Sequence, residues 1–179
     1  MKSTKGLLCI CSLIFSLVIA IATTSVVAEE LTAQLCKEKA IAASKLIEKE
    51  GEAAYSKLKD PNGEFRFGDG KGYVWVQTPD NMMLMHPIKP SLDGTDLSEY
   101  KDLKGMYLFT ACCEICEENG AGWVPYSWTK HGEESESPKV SYVVQVSHGG
   151  KDYIIGSGLY DVTAADIKAK FPGDPVYEE

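Results

Sequence analysis

Residues 120–146 read GAGWVPYSWTKHGEESESPKVSYVVQV. Two runs rich in aromatic and β-branched residues, 122–129 and 140–146, flank a polar segment, 131–138, and the pattern predicts two strands joined by a loop. Side chains alternate along a strand, so Tyr126 and Trp128 share one face while Trp123 points to the other. Two arrangements account for large aromatics beside isolated cations. One is a half-buried hairpin with aromatic cross-strand pairs. The other is a sheet that frames a pocket for a small ligand. Lys139 and Tyr142 are three residues apart, so a regular strand points them to opposite faces. They share a face only if Lys139 belongs to the loop or a bulge intervenes.

The flanking sequence extends the sheet. Residues 153–160 predict a third strand, and 73–78 an earlier one by Val and aromatic content. Pro79-Asp80-Asn81 turns the chain, and residues 82–85 return as a hairpin partner. Pro87 and Pro90 then exclude regular structure. Residues 30–59 carry Leu31, Leu35, Ala42, Leu46 and Ala53 near one stripe and predict a long helix, with Gly51 a weak point. Asp60-Pro61-Asn62-Gly63 ends it. A short helix over 108–118 ends at Asn119-Gly120, which suits a left-handed cap. A last helix starts near Thr163, where Thr163 and Asp166 have capping-box spacing. Five strands at hairpin spacing, with no crossover helices between them, give an α+β fold with a five-stranded antiparallel sheet. The long helix covers one face, and the loop with the short helix covers the other.

The ends and the charge limit the function. Lys2 and Lys5 precede an uncharged apolar run over 7–21, and small or β-branched residues follow to Ala28. That order predicts a signal peptide over 1–28, with an uncleaved anchor as the alternative. The expected mature chain, from Glu29, has 151 residues, the size of one domain. It keeps 16 basic against 26 acidic residues, a net charge of −10. Such a surface repels phosphate backbones and anionic headgroups, so neither nucleic acid nor, after cleavage, a membrane is an expected partner. No second apolar run follows. Residues 173–179 are expected to form a C-terminal tail.

Several segments in order carry a resemblance: GYVWVQTPDNMMLMHP, LDGTDLSEYKDLKGMYLF, GAGWVPYSWTK, PKVSYV and IIGSGLY. Together they resemble the single Cache sensor domain found outside the membrane in bacterial chemoreceptors and histidine kinases, and the likeness spans about 31–170. The chain departs from the family's pattern at Pro79-Asp80-Asn81-Met82, which lacks a Gly, and at Trp128-Thr129, where the family has Trp-Pro. The resemblance implies a PAS-like domain over 29–172 that is periplasmic or secreted. It implies binding rather than catalysis, with a short carboxylate or an amino acid as ligand. It implies no cofactor, and a membrane receptor or kinase as the signalling partner of a free-standing domain.

Lys139 supplies a point charge suited to an anion, and Tyr126, Trp128 and Tyr142 supply directional donors on apolar bodies. His86, before Pro87, is a further donor, and Trp123 is a wall or core residue. By resemblance, the His-Pro and Tyr-x-Trp positions match motifs that line the family's pocket. Arg66, the only arginine, sits between two phenylalanines, weakly specified. Cys36, Cys112, Cys113 and Cys116 remain after residue 28, and an exported compartment favours disulfides among them. Four cysteines allow three pairings, although a vicinal Cys112–Cys113 bridge would be strained. The Cys-x-x-Cys at 113–116 leaves a thiol-redox or metal-binding protein as the rival reading. No Ser-His-Asp order, paired catalytic acids or phosphate-cradling loop argues for an enzyme.

Overall fold

A computed structural model describes residues 29–178; the expected signal segment, 1–28, lies outside the described residues. Helix α1 spans Ala33–Glu50, started by Thr32, whose hydroxyl accepts from the Leu35 N–H. The expected single helix is interrupted at Gly51, which takes φ 59°. A short 3₁₀ turn, Gly51–Ala54, follows before α2, Tyr55–Lys59. The reason is contact as well as conformation. A side chain at 51 would collide with the His148 ring, whose Nδ1 lies 2.8 Å from the Glu48 carbonyl oxygen.

The strands are β1 Arg66–Phe67, β2 Gly72–Gln77, β3 Met83–Met85, β4 Ala121–Thr129, β5 Glu136–His148 and β6 Lys151–Tyr160. All pairings between named strands are antiparallel, in the order β1-β2-β6-β5-β4, and β3 also pairs with β2. The expected five strands are present, with β1 added as a two-residue strand too short to leave a pattern. Helix α3, Leu108–Asn119, ends on left-handed Gly120, and α4, Ala164–Lys170, begins at the Thr163–Asp166 capping box.

Period-two alternation divides the core into two sides of the sheet. Val74, Val76, Trp123, Val140, Tyr142, Ile155 and Leu159 pack with α1. Tyr73, Trp75, Val124, Tyr126, Trp128, Val143 and Ile154 pack with α3 and the covering loop. Gly156 clears space on that second side, since any Cβ there would overlap the Trp75 ring. The covering loop is tied down by Asp102. Its Oδ2 accepts from the Ser127 N–H of β4 at 2.8 Å, and its Oδ1 accepts from the N–H groups of Lys104 and Met106. Beyond α4 the chain returns to the open edge of β4. Trp123 N–H donates to the Pro175 carbonyl and Tyr177 N–H to the Trp123 carbonyl, while Asp174 accepts from both Trp123 Nε1 and Lys37 Nζ. This gives the exposed strand edge backbone partners it otherwise lacks.

Candidate functional site

Lys139 lies within a regular part of β5, neither in a loop nor at a bulge. It pairs with Tyr126 on one side and Tyr160 on the other, so the three side chains form one row across β4, β5 and β6. From the far side of β6, Tyr73 completes the surround. Lys139 Nζ donates to Tyr73 Oη at 2.8 Å and sits 4.4, 4.9 and 5.9 Å from the ring centroids of Tyr73, Tyr160 and Tyr126. The lysine is 1% exposed. Among the described residues it makes no ion pair with a carboxylate. Burial lowers its pKa, opposed chiefly by the Tyr160 hydroxyl.

His86 follows β3 and is also buried. Its Nδ1 accepts from the backbone N–H groups of Ile88 and Lys89, at 3.3 and 3.0 Å. An acceptor at Nδ1 fixes the neutral tautomer with its proton on Nε2. Burial first, then the positive charges of Lys139 and Lys89, push its pKa down to about 3. The ring packs against Tyr73 and Trp128 at 5.2 and 6.1 Å between centroids. Lys139, His86, Tyr73, Tyr126 and Trp128 line one small cavity, which Trp75, Leu108 and Phe109 close on the apolar side. The side chains close on it, leaving a free volume of about 10 Å³. The chemistry on offer is one ammonium, one neutral imidazole N–H and tyrosine hydroxyls in an aromatic box. That suits a small anion with a short apolar tail.

The structure therefore brings together four of the six residues singled out in the sequence. Tyr142 and Trp123 are not among them. With Lys139 in a regular strand, Tyr142 must face α1, where its ring lies 5.1 Å from that of Trp123, beneath Lys37. Trp123 stacks on Phe171 at 5.1 Å. Both belong to the opposite core. Sequence reasoning missed Tyr73, Trp75, Phe109 and Tyr160. Tyr73 and Trp75 did carry a signal, since they alternate on one strand. Tyr160 depends on the register between β5 and β6, which no local pattern reveals.

The four cysteines among the described residues are free thiols, where disulfides were expected. Cys36 is on α1 and the other three are on α3, with the sheet between them. Layers on either side of a sheet stand about 10 Å from its plane, beyond the roughly 7 Å limit between bridgeable Cα atoms, which keeps Cys36 from pairing with α3 and leaves only pairs within that helix in reach. Burial raises Cys113 to about 11 and Cys36 and Cys116 to about 12, and Cys112 well above its ordinary value. A thiol needs its thiolate to exchange or ligate, so this environment opposes the redox and metal readings. No group of three ligating side chains suited to a metal occurs among the described residues.

Residues 23–170 match the family model described as Cache domain. Over 103 residues the chain is 35% identical to methyl-accepting chemotaxis protein McpP of Pseudomonas putida, a match covering 58% of this chain and 18% of that protein's length. Among solved structures, the "Periplasmic sensor domain of chemotaxis protein" is 34% identical, with a TM-score of 0.55 over 72% of this chain and 87% of that one. A structure described as "Structural basis for carboxylic acid recognition by a Cache chemosensory domain" is 29% identical, with a TM-score of 0.58 over 73% and 88% of the two chains.

Proposed function

Because the chain belongs to the Cache domain family, we propose that its buried cavity receives a short monocarboxylate and that the domain senses this ligand outside the cytoplasm without changing it chemically. Lys139 carries the reading. A lysine buried with no carboxylate partner is costly, and a bound anion is the charge that relieves it. The carboxylate accepts from Lys139 Nζ and from His86 Nε2–H, and the aliphatic tail lies among Trp75, Phe109 and Trp128. Each of these polar contacts uses a donor the protein has already oriented. The cavity as it stands has room for about one water-sized sphere, about 10 Å³, so a ligand must part its aromatic walls and the tail is short, one or two carbons. The 29% identical Cache chemosensory domain, whose structure is described in terms of carboxylic acid recognition, supports the same class. The periplasmic neighbour and the N-terminal charge pattern support export, with a membrane receptor or kinase as the signalling partner.

The test is thermal melting with acetate, propionate and longer acids. A ligand at 100 times its dissociation constant stabilises the fold by about 2.7 kcal/mol. The Lys139→Met protein should fold and show no such shift. A carboxylate that stabilises Lys139→Met as well as wild type removes this lysine from the site. No shift with any short acid sinks the carboxylate reading.

A further inference from the structure

Tyr73 lines two spaces, the buried cavity and a wider cleft of about 380 Å³. Tyr160 lines the cleft as well, and the Lys139 ammonium lies against the rings of both tyrosines. The cleft wall carries three cations against two acids. Arg66, Lys71 and Lys130 line it, with His131 beside them. Lys130 is paired with Asp161 at 2.8 Å, and Glu133 is a further acid on the wall. Arg66 and Lys71 make no ion pair among the described residues. The sheet register sets Arg66 of β1 directly opposite Tyr73 of β2, so the two side chains share the cavity face of the sheet.

The chain carries a net charge of −8, and such a surface repels an arriving anion. A local cationic opening next to the partition is the remedy. We propose that this outer cleft is the entry site of the buried cavity, with Arg66 as the first contact of an incoming carboxylate that then passes Tyr73 and Tyr160 to Lys139. The inference rests on the carboxylate reading. A guanidinium suits the first contact, because its fork matches both oxygens of a carboxylate. Lys139 suits the last, because a point charge holds an anion that two tyrosines and an imidazole already surround. Charges on the approach act mainly on association, whereas buried contacts act on dissociation.

The experiment is stopped-flow fluorescence of the protein mixed with propionate, with Trp75 and Trp128 of the cavity wall as reporters. Arg66→Gln should slow association by about threefold to tenfold, leave dissociation unchanged and flatten the dependence of association on salt. Lys71→Gln, at an exposed rim position, should slow association to a smaller degree and answers the question if Arg66→Gln folds poorly. Wild-type binding with association unchanged in both variants overturns the entry site and leaves the carboxylate reading standing. An effect of Arg66→Gln confined to dissociation makes Arg66 part of the final site, which also overturns it. A wild-type protein that gives no response to propionate or acetate sinks the carboxylate reading itself, and the entry site falls with it.

Discussion

Taking an ammonium out of water without a counter-charge costs several kcal/mol even after the protein relaxes. Lys139 meets that cost with one tyrosine hydroxyl hydrogen bond and three aromatic faces. If Lys139 holds the anion as proposed, function and stability oppose each other at this residue. Lys139→Met keeps most of the stem's volume and removes the charge. In the absence of ligand its melting point should equal or exceed that of wild type, because replacing buried charge by a well-packed apolar group is often neutral or stabilising. A ligand-free loss of more than about 2 kcal/mol would identify a structural lysine instead. His86 carries a pH signature. Its folded pKa, about 3, lies below the ordinary value of 6.5. The unfolded chain therefore takes up a proton first as the solution is acidified. The stability this histidine provides is complete above pH 6.5 and is lost as pH falls toward 3, by at most about 1.4 kcal/mol per pH unit. In His86→Gln the denaturation free energy between pH 4 and 6.5 should depend less steeply on pH by that one-proton slope. Parallel curves for the two proteins would show that His86 is not buried and neutral.

At the level of elements, the cysteines separate local pattern from three-dimensional placement. Their number and the expected export argued for disulfides, yet α1 and α3 pack on opposite sides of the sheet. Mature protein starting at Glu29, purified without reductant and unfolded in denaturant, should release four thiols to a thiol reagent, and reductant should leave its melting point unchanged. Two thiols or none would show a bridge: one that includes Cys36 would require α1 or α3 to move, whereas one between Cys112 or Cys113 and Cys116 would lie within α3. The same distinction decides what the sequence could reveal elsewhere. The Thr163–Asp166 box, the Asn119-Gly120 cap and the turn at Pro79-Asp80-Asn81 depend on neighbours within a few residues, and each is where its residues imply. Tyr126 and Trp128 share a face because a strand alternates. By contrast, residues 136–138 look like loop but extend β5. They pair with 127–129 of β4, beyond the last pair with β6 at Lys139–Tyr160. That extension, set by a partner strand, makes Lys139 a strand residue and sends Tyr142 to the other core.

For the whole molecule, the proposed site makes the charge inside the cavity the selector among small acids. Both an amino acid and a simple carboxylate offer the anion that Lys139 lacks. An amino acid also brings an ammonium, and the cavity wall contains no Asp or Glu to receive it. Its nearest neighbours would be Lys139 and the donor side of His86, so the ammonium would be both unpaired and repelled. Leaving a charged group unpaired on burial costs more than the about 1–3 kcal/mol of a neutral one. Alanine should therefore bind at least about tenfold more weakly than propionate, which has the same three carbons and no amine. Propionamide should fail for the opposite reason, since it keeps the shape and loses the charge that compensates Lys139. Calorimetric titration of the three compounds checks both comparisons. Alanine binding as tightly as propionate would mean that a carboxylate from outside the cavity reaches the ammonium. Propionamide binding equally well would mean that Lys139 is uncharged at neutral pH and that the cavity selects shape alone. The cavity's far wall supplies the length limit. Phe109→Ala removes a ring from the cavity's apolar wall, where the proposed tail would lie. It should destabilise the protein by about 3–5 kcal/mol and move the preferred acid from two or three carbons to four or five. A variant that folds and keeps its preference for the shortest acids would show that the tail lies elsewhere in the aromatic box.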